Sequence, residues 1–171
     1  MGFPENPQAI DLMIAFPFAK AEVYAFLREQ AKDDESKEGA GALAMPAGYL
    51  FSDVGDEPDP DEDVIETCIA AMDAVGVSAG LFNLNDRAIE AKRRYPERVH
   101  FSLEVDPNDV MGAVRSIRTA HADHGIKAVT TFPAGCSPQV PLSDAKYYPI
   151  YATCVDLDIP VCPTVGVPGP R

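Results

Sequence analysis

Basic residues are scarce in this chain of 171. Lys and Arg number 14 against 27 Asp and Glu, giving a formal charge of -13. So acidic a surface repels phosphate backbones and anionic lipid, which excludes nucleic acid and membrane surfaces as expected partners. Long apolar runs are missing too; none approaches the roughly 20 residues that span a bilayer. The start, Met1-Gly2-Phe3-Pro4-Glu5, has no basic segment ahead of an apolar one, so no secretory leader is expected. Asn6 stands where myristoylation prefers Ser or Thr. The cysteines are Cys68, Cys136, Cys154 and Cys162, and no pair has Cys-x-x-Cys spacing. Two fall in apolar-periodic segments, so the set reads as reduced, buried small hydrophobes of a cytoplasmic protein rather than a disulfide framework. There is no Gly-x-Gly-x-x-Gly, no P-loop, no Gly-x-Ser-x-Gly elbow and no solenoid-type repeat.

Hydrophobic residues reach 46% and charged residues 24%, so a core of useful size can form. Residues 9–16 are mostly apolar and stop at Pro17, as a buried strand would. A helix is expected over 20–32, then a long irregular connection to Pro60. Ile65, Cys68, Ile69 and Met72 recur at helical spacing within 61–75, and Gly76 can close that helix. Strands follow at 78–84, 99–105, 126–131 and 159–164. Helices are expected at 86–94, at 108–124 with Asn108 as cap and Gly125 as stop, and from Ser143 or Asp144 to Leu157. Asp86, like Asn108, reads either as a helix cap or as part of a site at a strand end.

This alternation implies an α/β protein with a parallel sheet and right-handed crossovers. An open doubly wound sheet and part of a TIM-type (β/α)8 barrel both fit. A full barrel needs about 250 residues. With five strands and no helix after the last, residues 1–171 are expected to form a single incomplete barrel domain, the first five strands of a longer chain.

In a barrel, one face of each strand meets the helices and the other meets the lumen. On the third strand Val99, Phe101, Leu103 and Val105 suit the helix side, leaving His100, Ser102 and Glu104 for the lumen. On the first, Leu12, Ile14 and Phe16 point out and Asp11, Met13 and Ala15 point in. On the fourth, Lys127, Val129 and Thr131 are expected inward, because Lys127 can pair with Asp11 or Glu104; buried charges need partners. This lumen set reads either as a charge-balanced plug or as a catalytic group.

The stretch Gly125-Ile126-Lys127-Ala128-Val129-Thr130-Thr131-Phe132-Pro133 resembles the fourth strand of the amidohydrolase-related, metal-dependent hydrolases. The Tyr148-Pro149-Ile150-Tyr151 helix, followed by the strand Ile159-Pro160-Val161, and the Ile10-Asp11 opening resemble them as well. That family includes amide hydrolases and decarboxylases related to aminocarboxymuconate-semialdehyde decarboxylase. The resemblance implies a divalent ion, usually zinc, held by His-x-His on strand one and a His on strand five. Here those positions hold Met13, Ala15 and Thr164. A thioether, a methyl and a neutral hydroxyl do not replace imidazole for zinc, so the standard metal site is expected to be missing and no cofactor is assigned.

Other candidates have plain structural readings beside them. His121 and His124 read as metal ligands or as solvated residues favoured by a helix C-terminus. The acidic stretch Asp53 to Asp63 lacks the Gly and terminal Glu of a calcium loop, with Val64 and Ala70 in their places. Cys136 follows strand four near the mouth, with no basic neighbour in sequence to lower its pKa.

The expected function is hydrolysis or non-oxidative decarboxylation of a small carboxylated or amide compound at the C-terminal mouth. Asp11, His100 and Glu104 are the groups for proton transfer. Met13, Asn83, Thr131 and Thr164 are the expected ligand contacts. A second reading is a degenerate barrel that binds a ligand or supports a partner subunit. A third is a half-barrel that forms a homo-oligomer through its open edges.

Overall fold

Ile65, Cys68, Ile69 and Met72 are the buried stripe of α1 (Val64–Ala74), as their spacing requires. In a computed structural model, residues 8–16 and 62–165 are described. The helix expected over 20–32, the connection to Pro60 and the acidic residues from Asp53 to Asp61 lie outside them. The Asp63 side chain caps α1 by accepting the Ile65 and Glu66 N–H groups. Gly76, at φ 73°, turns the chain into β2.

The strands are β1 (Ala9–Ile14), β2 (Val77–Asn83), β3 (Val99–Glu104), β4 (Ala128–Thr131) and β5 (Val161–Pro163). They pair in parallel in the order β1-β2-β3-β4-β5. A doubly wound sheet reverses its strand order at a switch point; this one does not. Helices α1, α2 (Asp86–Arg94), α3 (Val110–His124) and α4 (Tyr148–Asp156) stand one before each of the last four strands, and a 3₁₀ turn (Ala145–Tyr147) leads into α4. Their buried residues form one core with Phe82, Val99, Phe101 and Val129. The sheet is a curled half-barrel with this core between strands and helices. Ala79, Leu81, Ser102 and Ala128, of the opposite parity, are buried on the inner face.

Two helix starts lie one residue from the expected caps. Asn85, not Asp86, caps α2 by accepting the Ala88 N–H at 2.9 Å. Asp109, not Asn108, caps α3 through the Gly112 N–H at 2.9 Å. Asn108 is thereby released for other contacts.

The inner and outer faces of β3 are as its alternation predicts: Val99, Phe101 and Val105 belong to the core, and the partly buried Leu103 packs against it. The expectation for β4 is reversed. Val129 is fully buried in the core and registers with Leu103, so Ala128 and Thr130 face inward instead. Burying a valine against the helices stabilises the fold by about 1.5–3 kcal/mol. That outweighs placing Lys127 in the lumen for an ion pair, and Lys127 is exposed. The expectation for β1 also fails in part. Its register with β2 advances three residues, from Asp11 to Ile14, while β2 advances two, from Gly80 to Phe82. This bulge shifts the phase. Ile14 and Phe16 reach the core, but Leu12 is 64% exposed and Asp11 joins the helix side.

Candidate active site

The chain leaves β3 with its pairing intact: the Val105 N–H donates to the Thr130 carbonyl at 3.0 Å. Val105 points into the core, so its neighbours Glu104 and Asp106 emerge on the inner side, at the carboxyl end of the sheet. The Glu104 N–H donates to Asn83 Oδ1 at 3.1 Å, tying the end of β3 to the end of β2. The Asp106 carboxylate accepts the Asn108 N–H at 2.8 Å and fixes the turn that follows.

The loop after β4 forms the facing wall. The Gly135 N–H closes a turn on the Phe132 carbonyl at 2.8 Å. A Cβ at Gly135 would overlap the Phe132 ring, so only glycine lets the turn close this tightly. Ser137-Pro138 is a cis peptide bond. Between the walls lies a cleft of about 690 Å³, lined by Glu104, Val105, Asp106, Phe132, Gly135, Cys136 and Ser137. Its size is in the range of small-molecule sites.

Cys136 is half-buried there, its Sγ 3.4 Å from the Phe132 carbonyl. Burial, with the carboxylates of Asp106 and Glu104, pushes its pKa up to about 11, against a smaller opposing pull from Lys146. At neutral pH it is a thiol, not a thiolate nucleophile. Asn108 joins the walls: its Nδ2 donates to the Pro138 carbonyl at 2.8 Å, and its Oδ1 accepts from Lys146 Nζ at 2.7 Å.

The residues singled out in the sequence do not all meet here. Glu104 lines the cleft and Asn83 adjoins it. Asp11 sits in a separate groove of about 360 Å³ between β1 and α1, with Thr67, Cys68 and Met72, and not in the lumen. His100 shares the inner face with Glu104 but lies at the other end of β3, as its second residue. Four residues of strand put it roughly 13 Å from Glu104. Burial lowers its pKa, as do Lys92 and Lys127 near it. Thr131 turns away from the lumen, its hydroxyl 3.0 Å from that of the buried Tyr147. Met13 is 79% exposed on the edge strand. Thr164 is exposed past β5, where its N–H donates to the Thr131 carbonyl at 2.8 Å. Asp106, Asn108 and Lys146 come together across some 40 positions of sequence (Asp106 to Lys146) by loop geometry; only the strand-end position of Asp106 signalled this.

Met13, Ala15 and Thr164 supply no imidazole, and among the described residues no three His, Cys, Asp or Glu side chains are grouped to hold a metal. The residues present do not fit a zinc ion of the expected kind. His121 and His124 end α3, where the His121 carbonyl accepts the N–H of Gly125.

A profile of the amidohydrolase family matches residues 11–170. The fold is shared with a crystal structure of 5-carboxyvanillate decarboxylase from Novosphingobium aromaticivorans complexed with manganese and 4-hydroxy-3-methoxy-5-nitrobenzoic acid. The TM-score is 0.63 at 19% identity, over 94% of this chain and 53% of that one. A mutant of that decarboxylase, with bound manganese and 3-methoxy-4-hydroxy-5-nitrobenzoic acid, gives 0.60 at 20% identity, over 90% of this chain and 49% of the other. The chain thus spans about half the length of these structural relatives. No curated protein matches it significantly.

Proposed function

The chain belongs to the amidohydrolase family, and we propose that it carries out hydrolysis or non-oxidative decarboxylation of a small carboxylated or amide compound in the cleft at the carboxyl ends of β3 and β4. The observation that carries this reading is the placing of Glu104 and Asp106 together at that cleft. Active sites of (β/α) barrels form at this end of the strands. Either reaction needs a proton moved at the reacting centre: from water and onto a leaving nitrogen in hydrolysis, or onto carbon as carbon dioxide departs. Glu104 is the group assigned to that transfer, with its backbone held by Asn83. Asp106 orients the wall through Asn108. Asp11 and His100, far from this cleft, are given no part. No step is routed through a metal, because Met13, Ala15 and Thr164 do not suit one.

A second reading, a degenerate barrel that binds a ligand or supports a partner subunit, is favoured by the same three positions. In both readings the partner is a small molecule, joined by a second copy or another subunit, in the cytoplasm. Mass spectrometry of purified chain incubated with panels of small aromatic carboxylates and amides tests the choice. The first reading expects a hydrolysed or decarboxylated product that disappears with Glu104→Gln; no product from either panel would overturn it.

A further inference from the structure

Lys146 is a half-buried lysine beside the cleft whose ammonium forms no ion pair among the described residues, although its backbone N–H donates to the Asp144 carboxylate at 2.9 Å. Its ammonium carries three N–H donors, and among the described residues one is used, on Asn108 Oδ1 at 2.7 Å. Asn108 in turn donates its backbone N–H to Asp106, which lines the cleft. The ammonium also acts on the thiol of Cys136, a second lining residue. A partly desolvated cation held by one neutral amide gains from an anion in its vicinity. The anchoring does not need the charge, since an amide donor would serve Asn108 as well. The cleft does need it: Glu104 and Asp106 alone would repel a substrate carboxylate.

We propose that Lys146 is the specificity-determining residue of this cleft, selecting a carboxylate-bearing substrate over its neutral amide, with Asn108 as the positioning residue that holds the ammonium in place. The proposal rests on the reading of this cleft as the substrate site, and it decides between the two substrate classes left open there. The walls include the Phe132 ring, which suits a single-ring organic acid.

The test uses the full chain and two probes, 4-hydroxy-3-methoxy-5-nitrobenzoate and its primary amide, with binding followed by saturation-transfer NMR. Wild type is expected to bind the carboxylate about ten-fold more tightly than the amide. Lys146→Gln keeps a donor for Asn108 but removes the charge; it should abolish the preference and leave amide binding within about two-fold, while Lys146→Arg keeps the preference. Equal carboxylate binding by wild type and Lys146→Gln overturns the proposal, as does a wild type that binds no carboxylate. Charge-dependent binding without turnover supports the role of Lys146 and defeats the catalytic reading. Turnover of a carboxylate that Lys146→Gln leaves unchanged defeats the role and keeps the catalytic reading.

Discussion

The hydroxyls of Thr131 and Tyr147 lie 3.0 Å apart, and both residues are almost completely buried. This contact places the end of β4 against the 3₁₀ turn that leads into α4, on the same strand face as the buried Val129. Replacing one partner strands the other hydroxyl in the core. Tyr147→Phe and Thr131→Val should therefore each cost about 1–3 kcal/mol in urea unfolding. The double variant should cost less than their sum. Additive effects would mean that the two hydroxyls do not interact.

Cys154 is buried in α4, and burial pushes its pKa from 9.0 up to about 11. Its neutral form is therefore favoured by folding. The sign follows: between about pH 9 and 11 the unfolded chain loses this proton and the folded chain keeps it, so stability falls as pH rises through that window. Below pH 9 the contribution is fully present. Cys154→Ala should be less stable at pH 7, through the lost packing, and show a shallower decline from pH 9 to 11. An unchanged decline would remove this thiol from the account.

The raised pKa of Cys136 has a consequence for its chemistry. It lines the cleft and is reachable, yet only about one thiol in ten thousand is ionised at pH 7. Alkylation by iodoacetamide, followed at the Cys136 peptide, should run about ten- to thirty-fold slower than at free cysteine, after allowing for the higher nucleophilicity of its thiolate. The rate should rise toward pH 11. Fast modification at neutral pH would contradict the assigned environment.

Legibility in the sequence followed how strongly each strand separates apolar from polar residues. On β3, Val99, Phe101 and Leu103 alternate with His100, Ser102 and Glu104, and the predicted faces match the structure. On β4, Lys127-Ala128-Val129-Thr130-Thr131 offers small or ambivalent residues on both faces, so the pattern along the strand does not decide between an ion pair for Lys127 and burial of Val129. On β1, the bulge between Asp11 and Ile14 breaks the period of two, which no count along the strand reveals. The ordering of strands and helices, and so the barrel type, was readable because each α/β unit carries its own periodicity. Half of the site was not. Glu104 was readable as a lumen residue at a strand end. Lys146 meets Asn108 only because two loops converge, and its neighbours in sequence carry no sign of that.

The central claim is that chemistry takes place at the carboxyl ends of β3 and β4, with Glu104 moving the proton. The most direct measurement is kcat and KM of Glu104→Gln against wild type, on whichever carboxylate or amide the wild type converts. The account predicts a fall in kcat of about 10²–10⁴-fold with KM nearly unchanged, the loss expected for a general acid–base group. A variant with wild-type kcat would place the chemistry elsewhere and contradict the account.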